Sequence, residues 1–430
     1  MTEDVQRQPV PSPHRNRLEK DIEKLSEYVD PDFDGWTRSS FTGLYREARE
    51  WLGGRMEDAG LVTRMDAAAN LIGRLEGTEP GLPPLMIGSH TDTVRNGGRF
   101  DGIIGVLAGV EIVRLIREHR LRLRHPLELV DFTAEEPTVF GISTVGSKAM
   151  AGNLTDEMLR RVDLRGRSLA AALTEAGGSP GNIFSARRQP GEIAAYLELH
   201  IEQGPLLERE GMNTGLVIGI VGIDRFILQV EGSPDHAGTT PMGRRRDALA
   251  GASELVLQLE ETASQFAGKD LVATVGRMEI TPNASNVVAG RVVLDAEIRS
   301  ADAAQAGRAA ENFLKEAEVI CRRRGLGLSA EQISHTDPVL VPEAIFSAVR
   351  EACERSGGRW REIVSGAGHD ANQVATFAPA GMIFLPSTGG RSHCPEEYTP
   401  MEEILRGTMV LLDSILILDR RLDSETEQDS

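Results

Sequence analysis

Pro84-Leu-Met-Ile-Gly-Ser-His90, followed by Thr91-Asp-Thr93 and then by Gly97-Gly-Arg-Phe-Asp-Gly102, is the stretch on which the fold turns. Its apolar run has the length of a buried strand and ends on a histidine. A helix of small and aliphatic residues follows from Gly102 to His119, and then a second apolar run, Leu127 to Phe132, which gives way to Thr133-Ala-Glu-Glu136. Strand, helix, strand predicts an open α/β sheet. The loops leaving the C-terminal ends of such strands converge on one edge, where these folds place their chemistry. Here that edge receives a histidine, two aspartates and two glutamates. Histidine with carboxylates is the donor set of a hydrolytic zinc or manganese site. The pattern recurs downstream: a strand over Ala194–Leu199 runs into His200, and a strand over Gly381–Leu385 leads through Pro386-Ser-Thr-Gly-Gly-Arg-Ser to His393.

A chain of 430 residues with a formal net charge of −18 can bury a large core and repels both nucleic acid and anionic membranes. It contains no run of eighteen apolar residues that could span a bilayer. The polar, proline-containing segment from Gln6 to Pro13 lacks the apolar centre of a signal peptide, so a cytoplasmic protein is expected. Cys321, Cys353 and Cys394 are far apart and suit reduced thiols.

The first fifteen or so residues and the acidic C-terminal end read as frayed tails. Helical periodicity covers 17–29 and 39–59, with short strands over 61–65 and 70–76. His119 and His125 lie in a basic run and read as a solvated helix end. From about residue 216 the texture changes to strand, helix, strand, strand, helix and a last strand, the order of a small α+β sandwich with an antiparallel sheet. Expected strands there cover 271–280 and 287–298, and expected helices 247–265 and 303–324. Three segments are therefore expected: residues 1–215, the first part of a catalytic domain; 216–330, an inserted domain; and 331–430, the rest of the catalytic domain. The last opens with a helix over 342–356 and ends with an amphipathic helix over 401–418. The fold class is α/β, a mixed central sheet flanked by helices, plus the inserted α+β sandwich.

Seven blocks carry a resemblance: Gly88-Ser-His-Thr-Asp-Thr, Asn96-Gly-Gly-Arg-Phe-Asp-Gly, Phe132-Thr-Ala-Glu-Glu-Pro, Glu198-Leu-His-Ile-Glu-Gln-Gly-Pro, Pro282-Asn-Ala-Ser-Asn-Val-Val, Gly366-Ala-Gly-His-Asp-Ala and Ser392-His-Cys-Pro-Glu-Glu. In this order they resemble the dinuclear metal-dependent amidohydrolases related to aminoacylases and co-catalytic zinc carboxypeptidases. The match is to the branch of N-carbamoyl-L-amino acid hydrolases, β-ureidopropionases and allantoate amidohydrolases. The resemblance implies two divalent ions, zinc first, with manganese, cobalt or nickel as alternatives. His90 and His200 would hold one, Glu136 and His393 the other, and Asp101 would bridge. Glu135 would be the general base, a carboxylate of nearly normal pKa, and Asp92 would orient His90. His236, in Ser233-Pro-Asp-His-Ala-Gly238, resembles a lid histidine that stabilises the oxyanion. Asn286 and Arg299, helped by Gln203, match positions that bind the substrate carboxylate. The family further implies a homodimer formed through the inserted lid domain, with His236 and Asn286 serving the neighbour's site.

Each residue has a plainer reading. A single histidine after a strand is usually structural, but three of them in matching contexts favour ligands. Asp101 could be a turn residue, Glu135-Glu136 a solvated loop, Asp92 a turn cap and Arg299 a surface strand residue. His369 matches the family without carrying metal in it, so a structural or supporting role is expected. Ser143-Thr144 departs from relatives and could reshape the pocket wall. The expected activity is hydrolysis of the ureido C–N bond of an N-carbamoyl-L-amino acid. Allantoate or another ureido acid is the first alternative substrate, an N-acyl amino acid or dipeptide the next, and a non-catalytic metal-binding scaffold the last.

Overall fold

The computed structural model describes residues 10–266 and 271–422. Most of the expected N-terminal tail, and the acidic tail beyond residue 422, lie outside the described residues. The chain divides into two compact units: the first holds the chain up to Ile218, Val341–Ile363 and the chain from His369 onward, and the second holds Gly219–Leu340 with Val364–Gly368.

The first unit is built on a mixed sheet. Its strands are β1 (Val62–Met65), β2 (Leu71–Leu75), β3 (Leu85–His90), β4 (Leu127–Phe132), β5 (Ala195–Ile201) and β6 (Thr214–Ile220). After the second unit's strands β7 (Gly222–Glu231), β8 (Leu271–Thr281), β9 (Arg291–Ser300), β10 (Gly327–Thr336) and the two-residue β11 (Val339–Leu340) come β12 (Trp360–Ser365) and β13 (Ala380–Leu385). The order across the sheet is β1-β2-β4-β3-β5-β13-β6, with β12 also beside β6. At its centre β4, β3, β5 and β13 run parallel. Every residue of these four strands is buried, as expected for strands covered on both faces. The helix Ile103–Glu118 buries nearly all of its residues against this sheet. Gly105 allows that approach, since a Cβ there would stand 2.5 Å from the Leu199 carbonyl oxygen and 2.9 Å from Ser89 Cβ.

The second unit is an antiparallel sheet in the order β10-β7-β9-β8, with the helices Ala248–Ser264 and Ala303–Arg324 packed on it. Phe226, Leu228 and Val230 of β7 alternate with the less buried Ile227, Gln229 and Glu231 and meet Leu255, Leu259, Leu294 and Phe313 in the core. Asp247 and Asp302 cap the two helices by accepting backbone N–H groups. Strand β10 and the short β11 carry this unit past residue 330, to Leu340. The strand expected over 287–298 begins only at Arg291, because Val287 instead makes a single bridge to His236.

His125 is not solvated. It is buried, its Nδ1 lies 2.8 Å from the Pro83 carbonyl oxygen, and its backbone N–H donates to Asp419. The basic run turns inward there because Asp419, on the final helix Met401–Arg421, needs donors.

Candidate metal centre and active site

Strand β3 ends on His90, and His200 is the penultimate residue of the neighbouring β5, so the two imidazoles lie 6.0 Å apart centroid to centroid. Each directs Nδ1 at a carbonyl: His90 to Asp92 O at 3.0 Å, His200 to Ile201 O at 2.9 Å. A carbonyl only accepts, so Nδ1 carries a proton and Nε2 is the ring atom left to face the site. His200 Nε2 indeed accepts the Gly102 N–H at 3.1 Å. Gly102 sits at φ 69° with any Cβ colliding with the His90 ring, so only glycine fits between the two histidines.

Asp101 spans two donor groups. Its Oδ1 lies 3.2 Å from His200 Nε2 and 3.7 Å from His90 Nε2, and its Oδ2 lies 3.3 Å from His393 Nε2. Glu136 Oε1 is also 3.3 Å from His393 Nε2. His90, Asp101 and His200 form one potential metal-binding group, and Asp101, Glu136 and His393 a second. Two ligand atoms each about 2.1 Å from a tetrahedral ion lie roughly 3.4 Å apart, so these spacings suit a shared cation. The donor set, nitrogen and oxygen without thiolate, fits zinc, manganese, cobalt or nickel. The crowding of Asp92, Asp101, Glu135 and Glu136 at one edge calls for positive charge.

Asp92 faces His90 with both its backbone and its side chain. Its backbone carbonyl, not its carboxylate, is the group nearest His90 Nδ1; the carboxylate is 3.5 Å away. The carboxylate also accepts the backbone N–H groups of Glu135 and Glu136, each at 3.2 Å. Asp92 therefore ties the histidine to the glutamate pair. The chain turns sharply before that pair at Ala134, φ 54°, and Thr144 N–H holds the Glu135 carbonyl at 2.7 Å. Lys148 Nζ in turn holds Ser143 O and the Thr144 hydroxyl, so these two residues brace the turn from outside. Glu135 Oε2 is 3.8 Å from His90 Nε2. Without ions, burial, reinforced by the neighbouring Glu136, Asp370 and Asp92 carboxylates, pushes its pKa well above the usual range against the opposing pull of His90. The charge of bound ions would pull it back down.

Gln203, expected to help bind substrate, donates from Nε2 to Asp101 Oδ2 at 2.7 Å and lies 3.4 Å from His393 Nε2. Both Gln203 and His393 adopt positive φ, 58° and 56°, conformations that cost non-glycine residues about 1 kcal/mol or more and that gather at functional sites. The ring of His369 packs edge-on against His200 at 4.6 Å and also meets Phe384, which makes it a support for that imidazole. Its neighbour Asp370 is fully buried and accepts the Ser147 hydroxyl.

One participant escaped sequence reading. Glu397, 2 % exposed, accepts four donors from the two ligand-bearing loops. The only signal was its place at the end of the Ser392–Glu397 block, where nothing distinguished it from the exposed Glu396.

In the second unit, His236 is exposed and its Nδ1 accepts the Gly238 N–H at 3.0 Å and the Thr239 N–H at 3.3 Å, which leaves the proton on Nε2. Asn286 is exposed on the same loop pair, its carbonyl accepting Ala237 N–H at 3.0 Å. Arg299 is held by Glu297 at 2.6 Å and by the Gly366 carbonyl at 2.9 Å.

Peptidase family M20/M25/M40 matches this chain over residues 86–416. Among curated proteins, an N-carbamoyl-L-amino acid amidohydrolase of Geobacillus stearothermophilus is 40 % identical over 93 % of this chain and 97 % of its own. An allantoate amidohydrolase of Bacillus subtilis is 34 % identical over 93 % and 96 %. Among solved structures, a hydantoinase/carbamoylase-family amidase from Burkholderia multivorans superposes with a TM-score of 0.85 at 36 % identity, covering 95 % of this chain and 98 % of that one.

Proposed function

The chain belongs to peptidase family M20/M25/M40, and on that premise we propose that it hydrolyses the carbamoyl C–N bond of N-carbamoyl-L-amino acids, giving the L-amino acid, ammonia and carbon dioxide. It is a hydrolase of linear amide or ureido bonds. The observation that carries the reading is the sharing of Asp101 between two metal-binding groups with Glu135 alongside. It is supported by the names of relatives from Geobacillus stearothermophilus, Paenarthrobacter aurescens and a Pseudomonas strain, all N-carbamoyl-L-amino acid amidohydrolases.

His90, His200 and Asp101 would hold one divalent ion, and Asp101, Glu136 and His393 the other. Bound there, the ions supply a water acidic enough to act as nucleophile near neutral pH and an electrophile for the carbonyl oxygen. Glu135 takes a proton from the attacking water as its oxygen bonds to the carbamoyl carbon, then returns it to the leaving nitrogen as the C–N bond breaks. The carbamic acid released falls apart to ammonia and carbon dioxide. His236 donates its Nε2 proton to the oxyanion, which its backbone-held Nδ1 favours. Arg299 and Asn286, with Gln203, receive the substrate carboxylate; Arg299 then exchanges Glu297 for it. The second unit serves as lid and dimerisation domain of a cytoplasmic homodimer, and zinc heads the eligible metals. Among the described residues no helix is long and apolar enough to cross a membrane.

Allantoate is the second reading, favoured by relatives of that name in Bacillus subtilis and Escherichia coli, both 34 % identical. Ammonia release by metal-reconstituted protein decides between them. The panel holds N-carbamoyl-L-amino acids, their D-enantiomers, allantoate, N-acetyl amino acids and dipeptides. Chelator-sensitive turnover of the L-carbamoyl compounds is the expected result. Turnover of allantoate alone moves the substrate, and silence across the panel with metal bound refutes the enzyme reading.

A further inference from the structure

We infer that Glu397 is a positioning residue that sets the spacing of the two metal-ligand loops, an inference that rests on the two-ion reading above. Its Oε1 accepts the Phe100 N–H at 2.9 Å and the Asp101 N–H at 3.0 Å. Its Oε2 accepts the Ser392 hydroxyl at 3.1 Å and the His393 N–H at 3.3 Å. One oxygen thus belongs to the loop of the bridging aspartate and the other to the loop of the C-terminal histidine, segments 291 residues apart by the Asp101–Ser392 separation. Ser392 closes the link, its single hydroxyl proton shared between Glu397 Oε2 and Asp101 Oδ2, the latter 2.7 Å away.

The residue type is demanding. An ionised carboxylate offers about four acceptor positions and no donor, which matches four converging donors. Glutamine, the same shape, would turn an NH2 toward one pair of them and leave donors facing donors. No lysine or arginine among the described residues pairs with this buried carboxylate, so these donors only partly offset its burial beside Asp101, which pushes its pKa up to about 7. Gly98 lies flat against it: a Cβ there would stand 2.1 Å from the Glu397 carboxyl carbon and Oε1. The loop is therefore shaped around the carboxylate as well as bonded to it.

Two variants test this by different routes, Glu397→Gln through the acceptors and Gly98→Ala through the space the carboxylate fills. After removal of metal and titration with Zn2+, bound zinc is counted and each affinity measured, with circular dichroism to select folded protein. Wild type should take up two ions. Both variants should keep one and bind the ion at Asp101, Glu136 and His393 at least tenfold more weakly, the range seen when residues supporting metal ligands are lost. A purely structural Glu397 would lower the melting temperature and leave two ions bound at wild-type affinity, and that result overturns the inference. Should Glu397→Gln fail to fold, Gly98→Ala alone decides by the same criterion. Wild-type protein that binds fewer than two ions refutes the two-ion reading itself, an outcome separate from any behaviour of the variants.

Discussion

Glu135 and Glu136 are adjacent in sequence but have different partners, since Glu136 faces His393 and Glu135 faces His90. The positive φ at Ala134 and the two N–H bonds to Asp92 hold that divergence. Replacing Glu135 by glutamine should therefore remove the base without disturbing the ligands. We expect kcat to fall by about 10²- to 10⁴-fold, with two ions still bound. Ammonia release at wild-type rate from the E135Q protein would contradict the mechanism. A second expectation concerns protons. Hydrogen bonds to Asp101 and Glu136 push the His393 pKa up to about 11, so before an ion arrives its imidazole is protonated at neutral pH. A metal needs the Nε2 lone pair and must displace that proton. A raised pKa means competition grows as pH falls, so affinity at this site should rise between pH 6 and 8, by about tenfold per pH unit for one displaced proton. Calorimetry in two buffers of different ionisation enthalpy reads the proton release directly. Buffer-independent heats would contradict it.

The helix Ile103–Glu118 packs on both histidine strands, which pair directly with each other. A Cβ at Gly105 would press on the Leu199 carbonyl and on Ser89, the residues just before His200 and His90. Gly105→Ala gains about 1 kcal/mol of helix propensity, while forcing a group into a packed interface costs about 1–3 kcal/mol. Because the obstacle is backbone, we expect a net loss of stability, visible as a lower melting temperature, together with weaker binding of the ion at His90 and His200. An unchanged melting temperature and affinity would show that the strands can give way. Elements of this kind were legible in the chain because strand tips carrying histidine stand out against apolar runs: Leu85–His90 and Ala195–His200 announce themselves. Strand β12 did not, since Trp-Arg-Glu-Ile-Val-Ser has no clean alternation and only Ile363 and Ser365 are buried. Strand β6 was passed over where the chain leaves one unit for the other. Glu397 and the buried His125 were illegible for one reason: each is defined by partners nearly 300 residues away, which local pattern cannot register.

At the scale of the whole molecule the proposed dimer has a consequence that can be measured. If His236 serves the neighbour's site, mixed dimers of Glu135→Gln and His236→Ala subunits regain one intact site, because one subunit keeps its base and its partner keeps the histidine. Random re-association makes about half the dimers mixed, so two inactive preparations should recover about one quarter of wild-type activity. No recovery after verified subunit exchange would place both residues in the same chain's site. Finally, the sheet of the first unit seats β13 between β5 and β6, although roughly 160 residues of chain separate it from β6 and more from β5. During synthesis β5 and β6 leave the ribosome with facing edges that have no strand to pair with until the last sixth of the protein emerges. The nascent chain must carry that open slot while the second unit is being completed, exposed to rival strands of other chains. His393 emerges only after β13, so metal cannot be captured in full before the strand that fills the slot has itself been made.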